Sequence, residues 1–84
     1  MNFSEALVLL REGFKLTRRG WNGPGQFVYL VPAASYPAQT QAARDHFGEM
    51  VPYDAYFARV GTTNSVSTWV PSVGDLLATD WQAV

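Results

Sequence analysis

The chain has 84 residues, six Lys and Arg against seven Asp and Glu, 48% hydrophobic residues, 14% aromatic and 15% charged. That length holds one domain at most, and a charged fraction well under the usual ~25% excludes a disordered or solvating chain. A formal net charge of −1 lacks the sequence-wide basic footprint of a duplex-DNA binder, and the absence of Cys excludes disulfide scaffolds, Cys-containing zinc sites and thiol nucleophiles.

Met1 to Leu10 places Glu5 ahead of a short apolar run without a basic leader, so it does not read as a signal peptide, and no stretch approaches ~18 apolar residues. The expected setting is the cytosol, with no membrane partner. Small domains bury a limited fraction of their surface and usually recruit a disulfide, a metal or a partner chain. With five Phe, four Tyr and three Trp to cover, self-association is expected.

Apolar residues at Phe3, Ala6, Leu7 and Leu10 follow the i, i+3, i+4, i+7 stripe of an amphipathic helix over about 3–12. Asn2 and Glu5 form its capping box, Arg11 sits in the last turn, and Gly13 takes the left-handed position that ends it. Alternation over Phe14 to Arg18 predicts a short strand, and the Asn22-Gly23 and Gly23-Pro24 pairs mark a turn over 19–25 with Trp21 at its tip. Gln26 to Val31 reads as the returning strand, buried on both faces.

Pro32 to Pro52 changes character, with Pro, Ala and Gln and one weakly helical patch over Gln39 to Phe47. With its flanks, at about 32–54, it reads as a meandering insertion. Tyr53 to Val60 predicts a strand, Gly61 to Asn64 a turn, and Ser65 to Val70 a hairpin partner ended by Pro71. Ser72, three residues before Asp75, starts a short helix to Ala78 with Val73, Leu76 and Leu77 toward the core. Asp80 to Val84 closes the chain as a strand with Trp81 and Ala83 on one face. The sum is a single α+β domain over 1–84, two helices on a small antiparallel sheet.

Signals for catalysis are thin. His46 is the lone histidine, and with Asp45 and Glu49 nearby it lacks the further ligands of a metal site, so it reads as a solvated residue of the insertion. No Gly-x-Ser-x-Gly elbow is present, and Gly20, Gly23 and Gly25 match neither a dinucleotide fingerprint nor a P-loop. Asp75 and Asp80, a possible carboxylate pair, are spaced equally well for two caps. No cofactor or metal is expected.

Charge distribution says more than net charge. Residues 1–30 carry Arg11, Lys15, Arg18 and Arg19 against Glu5 and Glu12, whereas 31–84 carry Arg44 and Arg59 against five acids. Cations beside an exposed aromatic suit a nucleotide, because Arg takes phosphate while an indole face stacks on the base for about 1–3 kcal/mol. The alternative is that Arg18 and Arg19 solvate a hairpin while Trp21 folds back on the core.

Asn2-Phe3-Ser4-Glu5-Ala6-Leu7, Gly13, the Arg18 to Gly23 run, Trp69-Val70-Pro71-Ser72 and the Asp75 to Trp81 run occur in order. In these motifs the chain resembles the second type of Thoeris anti-defence protein, a phage-encoded sponge family, over about 2–31 and 55–84. The resemblance implies a protein acting in the infected bacterium's cytoplasm, without catalysis. It would sequester glycocyclic ADP-ribose, the signal of the Thoeris TIR enzyme, and some members hold CBASS cyclic oligonucleotides at a separate site. It also implies a homotetramer with nucleotide pockets between protomers.

Carried onto this chain, the resemblance implies that Trp21 stacks on adenine, Asn22 and Gly23 line the pocket, and Arg18 meets phosphate. Trp69 and the Pro71-Ser72 turn would form a second wall, with Ser72 and the following amides as anion donors. Asp75 would accept ribose hydroxyls or serve as the cap partner of Ser72, while Asp80 and Trp81 would be structural. The rival reading is a single-stranded nucleic-acid or general nucleotide-binding module on the same Trp21 and Arg18 surface, and a third is a protein whose aromatics form only subunit contacts.

Overall fold

The computed structural model describes residues 1–84. Its first element, α1 (Phe3–Arg11), starts with the expected capping box: the Asn2 side chain accepts the Glu5 N–H at 2.9 Å while Glu5 accepts the Asn2 N–H at 3.0 Å. At the other end the Gly13 N–H meets the Leu10 carbonyl and the Phe14 N–H the Leu9 carbonyl, both at 3.1 Å. This is a Schellman closure, and Gly13 sits at φ +95° where a Cβ is disfavoured.

The strands are β1 (Leu16–Arg18), β2 (Phe27–Val31), β3 (Ala34–Pro37), β4 (Met50–Tyr53), β5 (Tyr56–Val60), β6 (Val66–Thr68) and β7 (Trp81–Ala83), with α2 (Gln41–Phe47) between β3 and β4 and α3 (Val73–Leu77) before β7. Five of them form one antiparallel sheet in the order β6-β5-β2-β1-β7, and β3 pairs β4 in a separate two-stranded ribbon. The α+β class expected from the sequence is the observed one. Placing β7 beside β1 joins the chain's last strand to its first, with Arg18 opposite Trp81 and Leu16 opposite Ala83.

The core lies under α1. Ala6 and Leu10 from the helix meet Leu16, Val28, Trp69 and Trp81, and Phe3, Leu9, Trp21, Phe57 and Ala78 pack around them. Indoles interlock edge to face, with Trp69 and Trp81 centroids 5.9 Å apart at 74°, a geometry that matches ring edges to the negative π faces.

Four expectations are corrected. The 32–54 segment does not meander: Ala34 pairs Tyr53 and Pro37 pairs Met50, so the β3–β4 ribbon prolongs the β2–β5 pair, in which Val31 pairs Tyr56, and carries α2 at its tip. Pro32, lacking an N–H, falls between β2 and β3, while Pro37 and Pro52 fit a ribbon whose two strands are both edges. Hence there are three helices rather than two. Phe14 belongs to the α1 closure and is half exposed instead of opening a strand. Within β2 only Val28 is buried, since a single small sheet leaves its other positions partly open. In α3 the residue turned inward is Asp75, and Val73, Leu76 and Leu77 are all exposed.

Leu10 is fully buried among these rings. Leu10→Ala is expected to cost about 2–5 kcal/mol, seen as a lower urea midpoint in tryptophan fluorescence; a loss under about 1 kcal/mol would show that this cluster is not the core.

Candidate functional site

Arg18 ends β1 and points its guanidinium at the start of β7 and at α3. Its Nε donates to Asp80 Oδ1 at 2.8 Å and its Nη1 to Asp75 Oδ1 at 3.0 Å. Asp80 Oδ2 in turn accepts the Gly20 N–H at 2.8 Å, tying the 19–25 turn to β7. Asp75 is 8% exposed, and its carboxylate has further donors: Trp21 Nε1 at 3.2 Å on Oδ1 and the Ser72 N–H at 3.0 Å on Oδ2. Its own N–H donates to Ser72 Oγ at 3.0 Å, and its carbonyl accepts Trp81 Nε1 at 2.9 Å. One residue thus joins a strand, a turn, a helix cap and two indoles.

The electrostatics follow from those contacts. Burial pushes the Asp75 carboxyl up, but the hydrogen bonds from Ser72, Arg18 and Trp21 outweigh it and leave it below the usual range. Arg18 is the main reason that Asp80 is also held low, and the same two carboxylates raise the Arg18 guanidinium above its ordinary value.

Arg18, Trp21, Trp69, Ser72 and Asp75 therefore come together, in a different manner from the one expected. Trp21 is not an indole standing free at the tip of the turn: it is half-buried, its N–H is committed to Asp75, and it lies edge to face with Trp81 at 5.3 Å and Trp69 at 6.3 Å. Trp69 is buried in the core and forms no open second wall. Ser72 and Asp75 satisfy each other in a capping box, so those donors are already used within the chain. Asp80 and Trp81 hold the structural positions expected of them: Asp80 clasps Arg18 and the turn, and Trp81 is 2% exposed.

Asn22 and Gly23 lie in the turn on the other side of Arg18. The Gln26 side-chain amide donates to the Asn22 carbonyl, and Gly23 takes φ +92° with a position for a Cβ only 2.5 Å from Thr62 Cγ2, so that only glycine lets the turn settle here. Below the turn a groove of about 490 Å³ is lined by Lys15, Thr17, Arg18, Arg19, the 23–27 segment, Gln82 and Val84. Three of the six basic residues border it and no acid does. The Lys15 ammonium stands 5.0 Å from the centroid of the Phe27 ring, placing a cation and an aromatic side by side. The excess of cations in 1–30 foreshadowed this groove, but Gln26 and Phe27 as its wall were not legible, because β1–β2 pairing brings them there.

A second concavity, of about 910 Å³, lies where the β3–β4 ribbon leaves the main sheet. All four tyrosines of the chain, Tyr29, Tyr36, Tyr53 and Tyr56, line it together with Leu30, Val31 and other uncharged residues. No sequence motif announces it, since the four rings come from four strands.

A family model described as Tad2-like, a Thoeris anti-defense 2-like domain, matches residues 1–84. A curated protein of Bacillus phage SP01, Thoeris anti-defense 2, is 37% identical over 85 residues, covering 100% of this chain and 94% of that protein.

The lowered carboxyls make stability pH-dependent in a set direction. A group with a depressed folded pKa stabilises fully above its unfolded value, about 3.9 for Asp, and loses that contribution as pH falls through the folded value. Unfolding midpoints are expected to be level from pH 7 to about 5 and to fall steeply below about 4. Asp75→Asn should cost about 1–3 kcal/mol at pH 7 and approach the parent as pH falls through the folded value; parallel curves would contradict the role given to Asp75.

Proposed function

The chain belongs to the Thoeris anti-defense 2-like family and has a phage anti-defence role, and from that premise we propose that it binds and holds, without cleaving, the glycocyclic ADP-ribose signal of the Thoeris system. The observation that carries the reading is the cationic groove beside a turn fixed by Arg18 and Asp80. A cyclic ADP-ribose is a dianionic pyrophosphate joined to a flat purine, and the groove offers charge for the first and ring surface for the second. Lys15 and Arg19 are the phosphate partners, since neither takes part in an ion pair within the chain.

Arg18 contributes differently from Lys15 and Arg19. With Nε and one N–H of Nη1 held by two carboxylates, it sets the shape of the turn and keeps the Nη2 donors and the second Nη1 donor for a ligand. The Phe27 ring in the groove wall is the surface for adenine, worth about 1–3 kcal/mol per stacked base, Trp21 adds the part of its ring left exposed beside the turn though it does not line the groove, and Asn22 and Gly23 present the turn's polar backbone. Trp69, Ser72 and Asp75 support Trp21 and Arg18 from behind.

Sequestration asks for affinity without turnover. A ring-closed ligand loses little conformational entropy on binding, so stacking plus a few charge-assisted hydrogen bonds reaches nanomolar affinity, about 12 kcal/mol. The proposed setting is the cytoplasm of the infected bacterium; no helix is long and apolar enough to cross a membrane. We extend the reading to a homo-oligomer, a tetramer in the family's manner, with CBASS cyclic oligonucleotides as ligands of a separate site.

Titration calorimetry with glycocyclic ADP-ribose is expected to saturate, and heat-denatured complex should release the ligand with unchanged mass and retention. Altered ligand would mean an enzyme, and the absence of saturable heat would overturn the proposal. The Lys15→Glu, Arg19→Glu double variant should bind at least about tenfold more weakly, 1.4 kcal/mol, with its unfolding midpoint unmoved. Affinity that grows with the length of single-stranded DNA and falls steeply with salt would favour the nucleic-acid module instead.

A further inference from the structure

The cations and the Phe27 ring of the groove suit a phosphate and a flat base, and its uncharged polar floor is left over. Thr17 is the middle residue of β1 and faces away from the buried Leu16. Across the ladder it pairs Gln82, which likewise faces away from buried Trp81. Because Leu16 pairs Val28, one step along the antiparallel register sets Phe27 beside Thr17 on its other flank. Gln82, Thr17 and Phe27 thus make one row across β7, β1 and β2, about 4.8 Å from strand to strand, and all three line the groove.

The fold has already decided what this row can bond. Thr17 Oγ1 donates its proton to the Gln26 carbonyl at 2.7 Å, so the hydroxyl turns only lone pairs to the groove. Gln26 spends its own side-chain N–H groups on the Asn22 and Gly23 carbonyls. Gln82 is exposed, which leaves both its amide oxygen and its amide N–H groups open to the groove. The charged residues of the lining are Lys15, Arg18 and Arg19, and each is a donor only. They can meet phosphate oxygens and cannot accept a proton from a hydroxyl. That capacity falls to Thr17 and Gln82.

We infer that Thr17 and Gln82 form a sugar-hydroxyl subsite of the groove, selecting a ribose nucleotide over the same phosphates without the sugar. The inference rests on the ligand reading above and names, within it, the residues that recognise the sugar. A purine stacked on Phe27 carries its ribose one strand across, onto Thr17, with Gln82 in reach on the next strand. Lys15, 5.0 Å from the Phe27 centroid, stays with the phosphates. Thr17 Oγ1 accepts from one hydroxyl, while Gln82 Oε1 accepts from its neighbour and Gln82 Nε2 donates back to it. Uncharged acceptors serve better here than carboxylates, which would repel the phosphates held beside them. A ligand lacking the hydroxyl leaves the half-buried Thr17 oxygen without a donor, the kind of loss on which specificity for a hydroxyl is built.

The test is titration calorimetry with glycocyclic ADP-ribose on the parent protein and on Thr17→Val, Thr17→Ser and Gln82→Met. The valine and methionine variants should each bind about three- to tenfold more weakly, and the serine variant, which keeps the hydroxyl, within about twofold of the parent. Inorganic pyrophosphate has the charge without the sugar, so its midpoint, read from the Lys15 and Arg19 amide shifts, should be the same in all four proteins. Should Thr17→Val fail to fold, the exposed Gln82→Met decides by itself. A parent that binds the signal, with the valine and methionine variants at parent affinity, overturns the subsite and leaves the ligand reading standing. A pyrophosphate midpoint displaced as far as that of the signal also overturns it, because the two residues then shape the groove and do not recognise a sugar. No saturable heat with the parent removes the ligand reading and the subsite together.

Discussion

A carboxylate taken out of water is tolerated only when donors replace the solvent it loses, and Asp75 shows how much structure such a demand can organise. Arg18, Trp21 and the Ser72 N–H converge on its two oxygens, while its backbone engages Ser72 Oγ and the Trp81 indole. The donors come from segments more than fifty residues apart in the chain. Because Arg18 also pairs with Asp80, and Asp80 with the Gly20 N–H, the same guanidinium that meets the demand of Asp75 locks the first turn against the last strand. Short elements, three-residue β1 and β7 and five-residue α3, hold their places through this polar tie as well as through burial.

That arrangement leaves the cations of the outward surface uncommitted within the chain. The half-buried Arg18 neutralises two acids internally, so Lys15 and Arg19 stand at the groove without acidic neighbours lining it. The turn that frames the groove is constrained by Asp80 at one end and by the Gln26 amide at the other. Under the proposed function such a groove is set before the ligand arrives, and preorganisation lowers the free-energy cost of binding. Stiffness suits a protein that holds a signal more than one that transforms it.

Local signals were legible in the sequence and long-range ones were not. The Asn2–Glu5 capping box, Gly13 and the Ser72–Asp75 cap each involve residues a few positions apart, so spacing alone reveals them. The inward side of α3 is another matter: Val73, Leu76 and Leu77 look like its core face until Arg18 and Trp21 arrive and claim Asp75. Trp21 followed the reading in which it folds back on the core, because an indole N–H beside a buried carboxylate gains more than one left in water. The ribbon is hidden in the sequence because prolines at 32, 37 and 52 resemble breaks in a pattern and suit an edge pairing, which only the partner strand reveals. The tyrosine face had no signal of any kind, each ring being contributed by a different strand.

Under the proposed function the ligand sits on the cationic side of the Arg18 tie and is ordered by it. The most direct measurement is a two-dimensional ¹H–¹⁵N spectrum of the labelled protein with and without saturating glycocyclic ADP-ribose. Large shifts are expected for the Trp21 indole, the 19–25 amides and the Lys15 and Arg19 amides, with the Trp69 and Trp81 indoles nearly still. Shifts confined to the tyrosine-lined strands, or none at all, would contradict that placement.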